Sequence, residues 1–572
     1  MLTKKDVIRL LEDIATYMEL KGENAFKISA YRKAAQSLEI DERTLDQIED
    51  VTTLKNIGKG VGEVINTYIQ TGASSVLDEL KKTVPSGLIP LLKIKGLGSK
   101  RIARLYQELN ITDKASFQAA CEAGAISSLS GFGKKTEEKY LEAVKVLGAK
   151  KERYPIDLMM RLNKKITDYV AQISKVERFE VAGSFRRMKE MSKDLDYIIS
   201  TEAPLEVQAQ LLEIPNIIER VAVGETKVSL ELAYDDETIG VDFRLVEPAA
   251  FYHTLQHFTG SKAHNIRIRQ LAKEQGEKVS EYGIEQAGGH LLQLKSEEAI
   301  YQHFNTPWIV PSMREDGSEF DKDLSSIVTL EDIRGDIHMH TTASDGAFSL
   351  REMVEANIQK GYEYMCITDH SQSLKVANGL SVSRLLKQRD EIRKLNDEYN
   401  EIDIYSGIEM DILPDGTLDY EDAVLAELDY VIAAIHQSFK QSEAQIMTRL
   451  ETACRNPFVR HIAHPTGRII GQREGYRPNI EQLIELCKET GTLLEINANP
   501  KRLDLSSEIL RQYPDIMVTI NTDAHHIDHL SFMQYGVATA QKGFVKRDNV
   551  LNTMSREAFK TFITRPKRLK EK

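Results

Sequence analysis

Nine potential metal ligands recur through the C-terminal part of this chain under one local rule: an apolar run, then a histidine or a carboxylate. The series begins at Asp336-Ile337-His338-Met339-His340, passes through Asp345, His370, Glu409, His436 and His464, and ends at Asp523-Ala524-His525. Tyr364-Met365-Cys366-Ile367-Thr368 precedes Asp369-His370, Asp403-Ile404-Tyr405-Ser406 precedes Gly407-Ile408-Glu409, and Tyr430-Val431-Ile432-Ala433-Ala434-Ile435 precedes His436. Short apolar runs read as buried strands, and ligands placed repeatedly after them predict a barrel with its chemistry at the C-terminal rim. Imidazole suits Zn, Mn or Fe, and carboxylates shift the set toward harder ions such as Mn. Nine ligands are too many for one ion and suit two or three, a cluster that activates water and clamps a phosphodiester. One histidine after a strand is ordinarily a satisfied core residue; the ordered set carries the reading.

This succession, from about Ile333 to about Ala540, resembles the PHP (polymerase and histidinol phosphatase) family of metallo-phosphoesterases. The resemblance implies a distorted TIM-like α/β barrel. Its implied ligands are His338, His340, Asp345, His370, Glu409, His436, His464, Asp523 and His525, with Asp369 and Asp411 orienting their neighbours. Some relatives place a ligand one residue after Asp345, where this chain has Gly346.

The middle of the chain reads Phe179-Glu180-Val181-Ala182-Gly183-Ser184-Phe185-Arg186-Arg187, then Asp194-Leu195-Asp196-Tyr197-Ile198-Ile199-Ser200. In a strand, residues i and i+2 share a face, so Asp194 and Asp196 aim at one point. A third carboxylate, Asp242, sits in the strand-like run Thr238-Ile239-Gly240-Val241-Asp242-Phe243-Arg244-Leu245-Val246. Three carboxylates on adjacent strands form a site for two Mg2+ ions about 3.5–4 Å apart. Gly183 and Ser184 would offer a turn and a hydroxyl to phosphates, helped by Arg187. A lone Asp-X-Asp is commonly a strand-edge pair; the Gly-Ser before it and the third Asp set this one apart.

This pattern resembles the nucleotidyltransferase superfamily, and its Gly-Ser-Phe-Arg-Arg form is close to the family X DNA polymerases. Leu255-Gln256-His257-Phe258-Thr259-Gly260-Ser261-Lys262-Ala263-His264-Asn265 resembles that family's thumb segment, which embraces the incoming nucleotide. The resemblance implies nucleotide contacts at His257, Phe258, Gly260, Lys262 and Asn265. His257 replaces the first of two aromatic residues, and Lys262 stands where an acidic residue is common, so sugar discrimination departs from the family pattern.

Three glycine turns stand between helical stretches of the N-terminal third: Asn56-Ile57-Gly58-Lys59-Gly60-Val61-Gly62, Gly96-Leu97-Gly98-Ser99-Lys100-Arg101 and Gly131-Phe132-Gly133-Lys134-Lys135. Glycine allows a left-handed backbone and close approach, and amides at the helix start that follows can hold a phosphate. A single turn of this kind is more often a plain corner, and the third is the closest to one. The three resemble helix-hairpin-helix motifs, which grip the DNA backbone without reading sequence. The implied contacts are Gly58, Gly60, Gly62, Gly96, Gly98, Lys100, Gly131, Gly133 and Lys135. Gly22 to Ala35 also resembles the small N-terminal domain of family X polymerases. Some members use a lysine there for lyase chemistry; this chain has Val64 at that place, and valine forms no imine.

Charge is unevenly placed. Residues 1–150 carry 23 Lys and Arg against 20 Asp and Glu, whereas the remainder carries 52 against 67. Acidity thus gathers where carboxylates would hold metal. The four cysteines form no CxxC pair, which argues for a reducing compartment and against a disulfide framework. No apolar run reaches the roughly 20 residues of a membrane helix, and no signal peptide opens the chain. The tail from Arg565 to Lys572 reads as a basic, solvated end.

Together these readings predict a multidomain protein. Helical helix-hairpin-helix domains span 1–80 and 81–150, the second fingers-like; an α+β nucleotidyltransferase palm spans 151–246 and a thumb 247–315. A linker at 316–332 leads to the PHP domain at 333–572. The resemblance implies a family X DNA polymerase with a PHP domain, using Mg2+ or Mn2+ at the palm and two or three Mn2+, Zn2+ or Fe2+ ions in the barrel. It would fill short gaps in repair and act as a 3′–5′ exonuclease, with cleavage at abasic sites or trimming of blocked 3′ ends. Expected partners are gapped, nicked or primer-template DNA and dNTPs, with no membrane, for a monomer in the cytoplasm at the nucleoid. The alternatives are a PHP nuclease or phosphatase on an inactive polymerase clamp, and a DNA-end scaffold with structural metals.

Overall fold

The computed structural model describes the chain apart from residues 1, 3, 42–44, 46, 47, 49, 147–150 and 568–572, and apart from the side chains of Lys5, Ile40 and Val146. The chain divides into two compact units, Met1–Lys150 with Ala347–Ser349, and Lys151–Gly346 with Leu350–Lys572.

The first unit is helical. Helices Lys4–Lys21, Ala25–Ile40 and Lys59–Thr71 bury Val7, Leu11, Leu38, Ile57 and Ile65. Helices Ser99–Leu109, Lys114–Glu122 and Lys134–Val146 close on Leu97, Ile102, Phe117 and Phe132. Each glycine turn therefore sends its apolar residue, Ile57, Leu97 or Phe132, into a core. Gly96 (φ +86°) and Gly131 (φ +85°) occupy the left-handed region that the turn needs; in the first turn Asn56 does so at φ 66°.

The second unit opens with a five-stranded sheet. Strands β1 (Arg178–Val181), β2 (Asp194–Ser200), β3 (Ile217–Gly224), β4 (Lys227–Tyr234) and β5 (Glu237–Val246) lie in the order β1-β2-β5-β4-β3, with only β2 and β5 parallel. Leu195, Tyr197 and Ile199 of β2 enter one core with Val241, Phe243 and Leu245 of β5. Helices Phe251–Thr259 and Lys262–Glu274 follow.

From Gly335 onward seven strands lie in sequence order, all parallel: β6 (Gly335–Asp336), β7 (Tyr364–Ile367), β8 (Asp403–Asp411), β9 (Tyr430–Ala434), β10 (Val459–Ile462), β11 (Leu493–Asn497) and β12 (Val518–Asn521). Every residue of β7, β9, β11 and β12 is buried, as expected of strands covered on both faces by crossover helices. A parallel bridge between Met339 and Ala524 joins the ends of β6 and β12 and closes the sheet into a barrel, one strand short of the regular eight.

The sheet core and the barrel share residues: Ile470, Leu503 and Tyr535 of the barrel segment belong to the core of the five-stranded sheet. The tail departs from expectation at Lys567, which is buried and donates to the carbonyls of Cys454 and Asn456. Those carbonyls end helix Glu443–Arg455, where backbone acceptors are left over and a cation is favoured. The rest of the tail, 568–572, lies outside the described residues.

Candidate active sites

β2 and β5 run in register with Asp194 beside Gly240 and Asp196 beside Asp242, so the three predicted carboxylates meet on one face. Burial pushes Asp196 up to about 7, and repulsion from Asp194 and Asp242 adds to it. Lys227 Nζ lies 3.0 Å from Asp242 Oδ2. Gly183 (φ +65°) crosses this face so closely that a Cβ there would stand 2.1 Å from Asp196 Oδ2, which is why the position admits no side chain.

The remaining predicted nucleotide residues fall around the same end. Ser184 Oγ is 3.0 Å from Ser192 Oγ. Arg187 reaches across to the carbonyl of Thr259, just before Gly260. Phe258 packs under Arg244, with the guanidinium carbon 3.7 Å from the ring centre, and against His257 at 5.0 Å. Asn265 donates to the His257 carbonyl at 2.7 Å and ties the two thumb helices together, while Lys262 is exposed.

In the barrel all nine predicted ligands lie on one rim. His338, His340 and Asp345 follow β6; His370 follows β7; Glu409 lies in β8; His436 follows β9; His464 follows β10; Asp523 and His525 follow β12. His340 Nε2 is 3.2 Å from Asp523 Oδ1, His436 Nε2 is 3.2 Å and His464 Nε2 2.8 Å from Glu409 Oε1, and His525 Nε2 is 3.2 Å from Asp345 Oδ1. Two ligands adopt left-handed backbone, His464 at φ 31° and Asp523 at φ 54°, a strain that clusters at functional sites. A side chain at Gly346 would stand 2.6 Å from the carbonyl of His340, which leaves Asp345 to face the rings.

The rings are oriented from behind. His338 Nδ1 is held by Glu495 at 2.7 Å, His436 Nδ1 by Asp411 at 3.1 Å and His525 Nδ1 by the Asp523 carbonyl at 2.8 Å, so each turns Nε2 inward. Asp369 braces the loop before Asp345 instead, accepting from Thr341 N at 2.8 Å and from Gln388 at 2.6 Å. Glu409 Oε2 lies 2.9 Å from His370 Nδ1 and 3.5 Å from His338 Nε2, and none of these three buried atoms has a partner in hydrogen-bonding geometry. Burial, reinforced by His525 and His370, holds His340 down to about 4, so its ring is neutral. Burial opposes charge on Glu409 and Asp523, yet the surrounding histidines hold both well below the usual carboxylate range. Against burial, Glu495, Asp523 and Glu409 push His338 up, and Glu409 and Asp411 push His436 up to about 10, so a divalent ion would displace a proton from those two rings, whereas neutral His340 and the ionised carboxylates are ready donors. His340, Asp345, His370 and His525 form one such group, and Glu409 joins two others, with His338 and His340 and with His370 and His436.

The glycine turns leave their backbones open. A Cβ at Gly58, Gly60, Gly98 or Gly133 would meet nothing within 4 Å, while one at Gly62 would strike Thr52 at 2.5 Å. Lys100 and Lys135 are exposed beside the second and third turns. Val64 lines a cavity of about 600 Å³ with Lys27 and Tyr31.

Two site residues escaped sequence reasoning. Glu495 interrupts the apolar run of β11, and a lone carboxylate inside a buried strand is itself a signal, because a buried charge must be paired. Lys227 left no such signal, since its neighbourhood depends on how β4 pairs with β5.

Residues 3–74 match the model of a helix-hairpin-helix domain, 254–315 that of the DNA polymerase beta thumb and 336–499 that of the PHP domain. The chain is 54% identical over 567 residues to the DNA polymerase/3′-5′ exonuclease PolX of Bacillus subtilis (strain 168), covering 98% of this chain and 99% of that protein. It is also 32% identical over 167 residues to a probable phosphatase of Caldanaerobacter subterraneus, covering 28% of this chain and 61% of that protein. A probable phosphatase of Thermoanaerobacter sp. (strain X514) is 26% identical over 231 residues, 38% of this chain and 89% of that protein.

Proposed function

This chain belongs to the bacterial family X DNA polymerases that carry a C-terminal PHP domain, and we propose that it trims 3′ ends and then fills short gaps in DNA repair. It is a DNA polymerase joined to a metal-dependent 3′–5′ exonuclease, and it binds DNA. The observation that carries the synthetic site is the meeting of Asp194, Asp196 and Asp242 in one register, with Asp196 pushed up to about 7. Carboxylates crowded in this way ionise together only with cations among them.

At the palm these three aspartates hold Mg2+ or Mn2+. At the barrel the nine rim residues hold two or three Mn2+, Zn2+ or Fe2+ ions. When bound, such ions acidify an attacking hydroxyl or water and neutralise the phosphate oxygens. The protein's own groups position the reactants. Gly183 clears space above Asp196, Ser184 and Lys262 meet the triphosphate, and His257, Phe258, Gly260 and Asn265 shape the nucleotide pocket. Arg187 fixes the thumb turn at Thr259. Gly58, Gly60, Gly62, Gly96, Gly98, Gly131, Gly133, Lys100 and Lys135 form the grip on the DNA backbone. The same barrel would open abasic sites. The protein acts as a monomer in the cytoplasm; among the described residues no helix is long and apolar enough to cross a membrane.

A labelled primer facing a one-nucleotide gap, with Mn2+ and with or without dNTPs, tests this reading. Extension with dNTPs and stepwise shortening without them are expected. Shortening alone would reduce the palm to a clamp. The likeness of the barrel to probable phosphatases favours a second substrate class. Turnover of p-nitrophenyl phosphate without shortening of DNA would move the barrel to phosphomonoesters.

A further inference from the structure

We propose that Lys542, a residue of the barrel segment, is a positioning residue for nucleotidyl transfer at the palm; the inference rests on the polymerase reading above. Lys542 ends helix Met533–Lys542 and is only 6% exposed. Its ammonium donates to the carbonyl of Met188 at 2.7 Å and lies 3.5 Å from Glu315 Oε1. Both partners belong to the polymerase part of the chain.

Met188 closes the turn that begins at Gly183 and Ser184. It holds a left-handed backbone at φ 54°, a conformation that a residue with a side chain adopts only when its surroundings impose it. Two bonds impose it: Met188 N donates to the Phe185 carbonyl at 2.8 Å, and Lys542 takes the Met188 carbonyl. Arg187, the residue before, reaches the Thr259 carbonyl.

Glu315 completes the link from the thumb side. Its carboxylate faces Lys189 at 2.7 Å, Lys542 at 3.5 Å and Arg187 at 3.9 Å. Its backbone carbonyl accepts from the Ser261 hydroxyl, and Ser261 N donates to the Arg314 carbonyl at 3.2 Å. Lys542 thus sits where the palm turn 183–190 and the thumb turn 259–261 converge, and Gly183 of the palm turn stands directly against Asp196. Burial holds the ammonium down to about 8 while the Glu315 charge opposes that shift, so the cation depends on this carboxylate. Two neighbouring contacts seat the helix: Ser312 Oγ bonds Gln541 Oε1 at 2.6 Å, and Arg511 donates to the Lys542 carbonyl at 2.7 Å.

Lys542 touches no predicted metal ligand of either site. Its loss should therefore disturb the distance between turn and aspartates, where a displacement of about 1 Å costs on the order of 100-fold in rate. The test compares full-length wild type with Lys542→Met, measuring single-nucleotide gap filling, DNA binding and 3′–5′ degradation. The expected result is a fall of about 10–100-fold in kcat/KM for the dNTP, shared between a higher KM and a lower kcat. DNA affinity and exonuclease rate should stay within about twofold, and Lys542→Arg should recover part of the loss. Glu315→Gln keeps the backbone that holds Ser261 and removes the carboxylate; it should reproduce the defect, and the double variant should be less than additive. If Lys542→Met fails to fold, Glu315→Gln decides alone. Unimpaired synthesis in the deciding variant overturns the inference, as does exonuclease loss equal to the loss of synthesis. A wild type that extends no primer overturns the polymerase reading itself.

Discussion

In the palm, three carboxylates share one strand register with Lys227 and Arg244 as cationic neighbours, and burial, reinforced by repulsion from Asp194 and Asp242, pushes Asp196 up to about 7. In the barrel, histidines outnumber carboxylates, and His338, His436 and His525 each have their second ring nitrogen fixed by an oxygen. The first arrangement suits a hard ion that arrives with the triphosphate and leaves with the product. The second is built before any ion binds, and suits resident transition ions. One chain therefore holds a site assembled by its substrate and a site assembled by its fold.

The largest expected effect would break this separation if it failed. Asp194→Asn with Asp196→Asn should lower dNTP incorporation by about 10³-fold or more while exonuclease stays within about twofold. His338→Ala with His340→Ala should do the reverse. A folded variant that loses both activities would mean that the sites are not distinct. A smaller effect sharpens the claim of preorganisation. Glu495→Gln should weaken Mn2+ binding and exonuclease by about 10–100-fold without changing synthesis, read by metal titration and by the gapped-primer assay. Unchanged metal affinity would leave Glu495 as a mere packing residue.

The smallest effect concerns the palm without metal. Because the folded pKa of Asp196 is raised to about 7, the folded state holds its proton longer than the unfolded chain does. This group therefore lowers stability as pH rises from about 4 to about 7, and the penalty is complete above that window. In chelator, the Tm of wild type relative to Asp196→Asn should fall by a few degrees across that range, and Mg2+ should restore it. A flat difference would place Asp196 in a more solvated site than the structure gives it.

The features readable from sequence were those with local spacing. Asp194 and Asp196 are two apart on one strand, and most barrel ligands follow an apolar run by a residue or two, so strand geometry alone aims them. The hairpins were readable because each combines glycines with one apolar residue. Glu495, Lys227 and Lys542 belong to another kind. Glu495 acts on His338 across 157 residues and Lys542 on Met188 across 354, while Lys227 meets Asp242 only through the register of its strand pairing, and no local pattern encodes such neighbours. The number of barrel strands is likewise invisible to local patterns: closure depends on one bridge between Met339 and Ala524. A basic terminal stretch ordinarily reads as solvated, and the carbonyls of Cys454 and Asn456 at a helix end draw Lys567 in.

That bridge has a consequence in time. It brings His340 beside Asp523, 183 residues later, and the ligands of one rim come from both ends of the barrel segment. Closing so long a span is slow, and it cannot begin before the last strand exists. Lys542 lies beyond that strand, so the palm turns are seated later still. During synthesis the helical N-terminal unit folds first. The helical N-terminal segment and the palm strands are therefore made before the barrel rim can form, and the ligands of that rim come together only once β12 has emerged.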